Sequence, residues 1–143
     1  VSSEGRISRD ELFIGVARLF GRRSTCPRAN VGCIAVLDGR IVASGYVGAP
    51  SGQPHCDFAG CEISDGGCIR TVHAEANVVA FAARVGTPIK GTTVYCTHAP
   101  CRKCAQLLVN AAVKDFVFSE TYRDPSGLNL LITLGVGVRQ YAP

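Results

Sequence analysis

The 143-residue sequence predicts one α/β domain in which helices pack on both faces of a five-stranded, largely parallel sheet. Three observations carry that expectation. An amphipathic helical repeat opens the chain, two β-branched runs flank an Asp38-Gly39 turn, and helix-like and strand-like segments then alternate to the end. A hydrophobic content of 47% suits one full core and leaves no room for a second, so residues 1–143 are read as a single domain.

Ser8-Arg9-Asp10-Glu11 is a capping-box pattern, after which Leu12, Phe13, Val16, Leu19 and Phe20 recur on one helical face until Gly21. The first helix is therefore expected over residues 9–21. Val31 to Leu37 is apolar and β-branched, Asp38-Gly39 is a strong two-residue hairpin turn, and Arg40 to Gly45 returns as the antiparallel partner. From Tyr46 to about residue 72 the chain is rich in Gly, Pro, Ser and Cys with no clear period, which predicts a long loop held by a staple. His73 to Val85 reads as an Ala-rich helix, Thr92 to Thr97 as a strand, and Cys101 to Ala112 as a helix. Val117 and Phe118 centre another strand, Pro125 to Leu134 a helix, and Val136 to Tyr141 the last strand.

Fifteen Lys and Arg against eleven Asp and Glu give a formal charge of +4, which suits a phosphate-bearing small molecule as well as a polymer. No run approaches the 18 or so apolar residues of a membrane span, and Val1-Ser2-Ser3-Glu4-Gly5 has no leader-like apolar region, so a cytoplasmic protein without a membrane partner is expected. In a reducing compartment, eight cysteines point to metal ligation before disulfides.

The chemistry lies in two runs at the starts of two expected helices, His73-Ala74-Glu75 and Pro100-Cys101-Arg102-Lys103-Cys104. A catalytic zinc takes three protein ligands and keeps a fourth position for water, and His73, Cys101 and Cys104 supply an accepted set. The Cys101 and Cys104 side chains fall on one helical face, where a helix N-terminus favours thiolates. Glu75, leaning over the helix end, reaches a metal-bound water without ligating the metal. It is then the catalytic proton carrier, taking a proton from the attacking water, protonating a ring nitrogen and handing a proton to departing ammonia. A structural zinc site is the plainer alternative, and it gives no use to an acid that is not a ligand.

These two runs are the H-x-E and P-C-x-x-C signature of zinc deaminases. The chain resembles the deoxycytidylate deaminases of bacteria and phages, including the similar late-competence proteins of Gram-positive bacteria. The likeness runs through Arg23-Ser24-Thr25-Cys26, Val31-Gly32, Gly45-Tyr46, Gly48-Ala49-Pro50-Ser51-Gly52, His55-Cys56, Gly60-Cys61 and Cys68-Ile69-Arg70-Thr71. It continues through His73-Ala74-Glu75-Ala76-Asn77, Thr97-His98-Ala99-Pro100-Cys101, Cys104-Ala105 and Glu120-Thr121-Tyr122. The resemblance implies a cytidine deaminase-like three-layer α/β/α sandwich with a five-stranded mixed sheet. It also implies hydrolysis of dCMP to dUMP feeding thymidylate synthesis, a homo-oligomer (commonly a hexamer), and dCTP and dTTP effectors, with Mg2+ accompanying dCTP. One departure stands out: the family usually has Asn after Gly-Tyr, where its amide meets the substrate sugar, and this chain has Val47. A valine cannot make that hydrogen bond, so either another residue does or the substrate differs from plain dCMP.

Cys26, Cys56, Cys61 and Cys68 fall outside the expected sheet, and similar enzymes place a non-catalytic zinc in this region; four thiolates would close a tetrahedral site, with His55 as a substitute for one. Free thiols in a flexible loop are the alternative. Cys33 and Cys96 read as core residues. Gly45, Gly48 and Gly52 either let backbone approach an effector phosphate or simply turn the chain. Tyr122 lies over the pyrimidine, reaches its phosphate, or packs in the core. The Ala74 N–H at a helix start is a donor for the pyrimidine carbonyl. His98, just before the Pro-Cys pair, either meets the substrate or, as the better reading, packs without a ligand, and is not counted as metal-binding; Arg22, Arg23 and Arg28 read as phosphate contacts or a solvated face.

A free cytosine deoxynucleotide is thus the expected substrate. Two other enzyme readings are a modified nucleotide such as 5-hydroxymethyl-dCMP, and a base in RNA or single-stranded DNA. With 7% aromatics and no Trp, support for a nucleic-acid groove is poor. The non-enzymatic reading is an inactive zinc-stabilised DNA-binding or competence factor.

Overall fold

The computed structural model describes residues 5–26, 29–64 and 67–142; residues 1–4, read above for a leader, and Arg28 lie outside them. Helix α1 (Arg9–Gly21) starts where expected because the Ser8 hydroxyl accepts the Glu11 N–H at 3.1 Å. Strands β1 (Gly32–Leu37) and β2 (Arg40–Tyr46) form the hairpin, turned by Asp38 and Gly39 at φ 51° and 74°. Two successive left-handed residues match the right-handed twist of the flanking strands.

The expected long loop contains short elements that no periodicity revealed: α2 (Cys56–Ala59) and a small hairpin of β3 (Ile63–Ser64) and β4 (Gly67–Cys68). Gly48 and Val72 exchange backbone hydrogen bonds of 3.3 and 2.8 Å, which closes the loop at its base. Beyond it come α3 (Ala74–Val85), β5 (Thr93–His98), α4 (Arg102–Asn110), β6 (Asp115–Glu120), α5 (Ser126–Thr133) and β7 (Gly137–Gln140).

The main sheet has the order β2-β1-β5-β6-β7. β1 is antiparallel to both β2 and β5, while β5, β6 and β7 run parallel. The sheet is therefore mixed, as the resemblance implied, and less parallel than the helix-strand alternation suggested. The crossover through α3 returns β5 parallel to β2 but leaves β1 between them, so β1 meets both neighbours head to tail.

Strand alternation divides the core in two. Ile34, Val36, Tyr95 and Val117 face α1 and its Phe13 and Ile14. Cys33, Ala35, Val94, Cys96, Phe116 and Phe118 face Val78 and Ala82 of α3, Leu108 of α4 and Leu131 of α5. Helices thus cover both faces, giving three layers. Cys33 and Cys96, fully buried and opposite each other in register, are core residues as expected. No helix among the described residues is long and apolar enough to cross a membrane.

Candidate active site

Two helix starts meet near the end of β5. His73 is the N-cap of α3 and makes no capping hydrogen bond with its side chain, which leaves the imidazole free to face away from its own helix. Cys101 is the N-cap of α4, and its sulfur accepts the Cys104 N–H at 3.5 Å. His73 Nδ1 then stands 3.5 Å from the sulfur of Cys101 and 3.5 Å from that of Cys104. All three donor atoms lie within 4.8 Å of one another. One imidazole and two thiols at that spacing suit a zinc ion with one position left open, and Glu75 is not part of the cluster.

The electrostatics agree with that chemistry. Hydrogen bonding to Cys104, then to His73, draws the Cys101 thiol down to about 4, and the same contact pushes Cys104 upward, so the two sulfurs share one proton. The hydrogen bond to Cys101 also raises His73. A metal ion would take the place of the shared proton. Glu75 is 4% exposed, and burial lifts its carboxyl to about 7. A carboxyl poised there gives and takes protons near neutral pH.

His73, Glu75 and Cys101 line a cleft of about 340 Å³ together with Val31, Val47, Ala99, Thr71, His98, Tyr122 and Arg123. Val47 is buried in its wall, so the position where an amide was expected is apolar. Ala74 is buried at the first position of α3, where a backbone N–H has no partner within the helix. Tyr122 stands at the cleft with the Arg123 guanidinium 5.4 Å from its ring centre. Sequence reasoning missed Arg123, which directly follows Glu120-Thr121-Tyr122, and favoured packing for His98 although it lies within the Thr97–Cys101 run. Arg22 and Arg23 are exposed and do not line the cleft.

The sulfurs of Cys26, Cys56, Cys61 and Cys68 also lie within 4.8 Å of one another, with Cys26 to Cys61 and Cys56 to Cys68 both at 3.7 Å. This second cluster binds the end of α1 to the 56–68 segment, and Cys26 and Cys68 line the cleft as well. Burial pushes Cys56 up to about 12; against the same effect, the Arg70 and Glu62 backbone hydrogen bonds draw Cys68 down to about 6. His55 caps α2 without a side-chain hydrogen bond and is not in the cluster.

A second cleft, of about 460 Å³, lies between β2, α3 and residues 48–51. Gly45 and Gly48 line it, and Gly52, at φ 91°, turns the chain outside it.

Residues 7–120 match the family model for the cytidine and deoxycytidylate deaminase zinc-binding region. The chain is 38% identical over 136 residues to ComE operon protein 2 of Bacillus subtilis, covering 94% of this chain and 72% of that protein. It is 34% identical over 146 residues to deoxycytidylate deaminase of Saccharomyces cerevisiae, covering 96% of this chain but only 46% of the yeast protein. Among solved structures it resembles dCMP deaminase from the cyanophage S-TIM5 in complex with dCMP and dUMP, with a TM-score of 0.84, 36% identity, and coverage of 92% of this chain and 95% of that one.

Proposed function

Because the chain belongs to the cytidine and deoxycytidylate deaminase family, we propose that it hydrolyses the exocyclic amine of a free cytosine deoxynucleotide, converting dCMP and water to dUMP and ammonia. The observation that carries this reading is the buried Glu75 beside a His73, Cys101 and Cys104 cluster at one cleft. His73, Cys101 and Cys104 would hold a zinc ion, whose chemistry there would be to acidify a water as the nucleophile. Glu75, whose burial lifts its carboxyl to about 7, takes a proton from the attacking water. It delivers that proton to the ring nitrogen, then carries the second proton, from the hydroxyl newly bonded to the ring carbon, to the amine; the carbon–nitrogen bond breaks, ammonia leaves and the hydroxyl oxygen becomes the carbonyl. The Ala74 N–H holds the ring carbonyl. Tyr122 and Arg123 stand at the cleft with a hydroxyl and a cation for the 5′-phosphate.

The four-cysteine cluster is a second zinc site of structural purpose. Its chemistry fits, since four thiolates make a closed tetrahedral shell, and it holds the cleft wall through Cys26 and Cys68. The second cleft, at Gly45 and Gly48, is where we place dCTP with Mg2+, or dTTP, in a homo-oligomer with hexameric symmetry. A single 1–143 domain in the cytoplasm, where eight thiols stay reduced, completes the reading.

Ammonia release from cytidine, dCMP, 5-hydroxymethyl-dCMP and dCTP tests it. The expected result is the highest kcat/KM with dCMP. Preference for 5-hydroxymethyl-dCMP would move the substrate to a modified nucleotide, and inertness toward all four would replace the enzyme with a zinc-stabilised binding protein.

A further inference from the structure

Two aromatic side chains line the cleft besides the ligand His73, namely Tyr122 and His98. One face of Tyr122 is taken by the Arg123 guanidinium. His98 is held differently. Thr97 Oγ1, which accepts the Gly32 N–H at 3.3 Å, lies within hydrogen-bond distance of His98 Nδ1, 2.8 Å away. The other ring nitrogen, Nε2, faces Glu120 Oε2 at 3.4 Å. His98 and Glu120 are register partners across the parallel β5–β6 pair, and the Ala99 N–H donates to the Glu120 carbonyl at 2.8 Å, which fixes Glu120 relative to the ring.

With Thr97 at one ring nitrogen and the Glu120 carboxylate near the other, the imidazole's polar edge is turned to the protein. What it offers the cleft is a flat ring whose plane is set from two sides. We propose that His98 is a binding residue for the substrate base, a stacking platform for the pyrimidine whose orientation is set by Thr97 and Glu120. This rests on the reading of the cleft as a pyrimidine nucleotide site. It also adds a flat ring to a part of the cleft where Ala29, Val31, Val47 and Ala99 provide contact area but no planar partner. Base–aromatic stacking tolerates replacement of one flat ring by another and is lost with the ring.

The test uses the zinc-loaded protein and its His98→Phe and His98→Ala variants, each first checked for unchanged zinc content and thermal melting. Steady-state deamination of dCMP gives KM and kcat, and calorimetric titration with the product dUMP gives binding free of turnover. His98→Ala is expected to raise KM and the dUMP Kd about tenfold, with kcat changed less than threefold. His98→Phe should stay within about threefold of wild type on all three. Equal KM and dUMP Kd in wild type and His98→Ala would overturn the platform while leaving dCMP deamination intact. His98→Phe as impaired as His98→Ala would overturn it too, because the nitrogens and not the ring would then matter. A wild type that neither turns over dCMP nor binds dUMP would overturn the nucleotide reading and the platform with it.

Discussion

A methyl group placed on Gly45 would stand 2.5 Å from the carbonyl oxygen of Ala74. The hairpin strand β2 and the first turn of α3 touch there, backbone to backbone, and that contact sets where His73 and Glu75 enter the cleft. The nearby Val78 nitrogen, at 2.9 Å, and Asn77 Cβ, at 3.0 Å, leave no direction for a side chain to escape. The Asn77 side-chain amide donates to the Tyr46 carbonyl at 2.8 Å and locks the same junction.

Gly45→Ala is therefore expected to destabilise the fold by about 1–3 kcal/mol, the usual cost of overpacking, and to lower kcat more than it raises KM, because α3 carries Glu75 and begins directly after His73. Thermal melting and dCMP kinetics on one preparation check both. Wild-type stability in the alanine variant would refute the contact.

The apolar wall at Val47 leads to a second expectation. Val47→Asn offers the sugar a hydrogen bond that valine cannot, and one such bond is worth about 0.5–1.5 kcal/mol. KM for dCMP should fall by roughly two- to tenfold, the equivalent of that energy, with kcat little changed. An unchanged or higher KM would mean that the sugar does not reach this wall.

Removing one thiol of the four-cysteine cluster should separate structure from chemistry. Wild-type protein is expected to hold about two zinc ions per chain, one closed and one open site, and Cys56→Ser about one. Loss of the clamp should expose residues 49–71 to limited proteolysis, since the Gly48 and Val72 pairing closes the loop at its base but does not hold its interior. Elemental analysis and protease mapping check this. An unchanged metal content would discard the second site.

Much of this arrangement was legible in the chain. The Ser8 capping box placed α1 to the residue, and the Asp38-Gly39 turn placed the β1–β2 hairpin, because both rest on local hydrogen bonding and backbone conformation. The His73, Cys101 and Cys104 cluster was readable because its spacing is dictated by helix starts. What was not legible is non-local. The antiparallel meeting of β1 and β5 depends on where α3 crosses. The short α2, β3 and β4 are imposed on a Gly-rich loop by thiols 12 and 35 residues apart in sequence. Gly45, read as an approach point for an effector phosphate, is also required for strand–helix contact, and no pattern along the chain distinguishes the two uses.

The Asp10 carboxylate joins helix α1 to the far edge of the sheet, accepting hydrogen bonds of 2.8 and 2.7 Å from Arg139 and one of 3.1 Å from the Tyr95 hydroxyl. The Arg139 hydrogen bonds, working against desolvation, hold the Asp10 carboxyl below its ordinary value. A lowered acid stabilises the fold above its unfolded pKa of about 4 and loses that contribution as pH falls through the folded value. Asp10→Asn should melt about 3 °C below wild type at pH 7, the equivalent of about 1 kcal/mol. The gap should narrow steadily below about pH 4. A gap independent of pH would show that the charge contributes nothing.

The proton-carrying role of Glu75 is the claim on which the rest depends, and Glu75→Gln tests it most directly because the amide keeps the shape and removes the exchangeable acid. With zinc content matched to wild type, ammonia release from dCMP should fall by about 10²–10⁴-fold in kcat, the usual worth of a positioned general acid–base, while dUMP binding persists. A Glu75→Gln variant that deaminates dCMP at the wild-type rate would contradict the account.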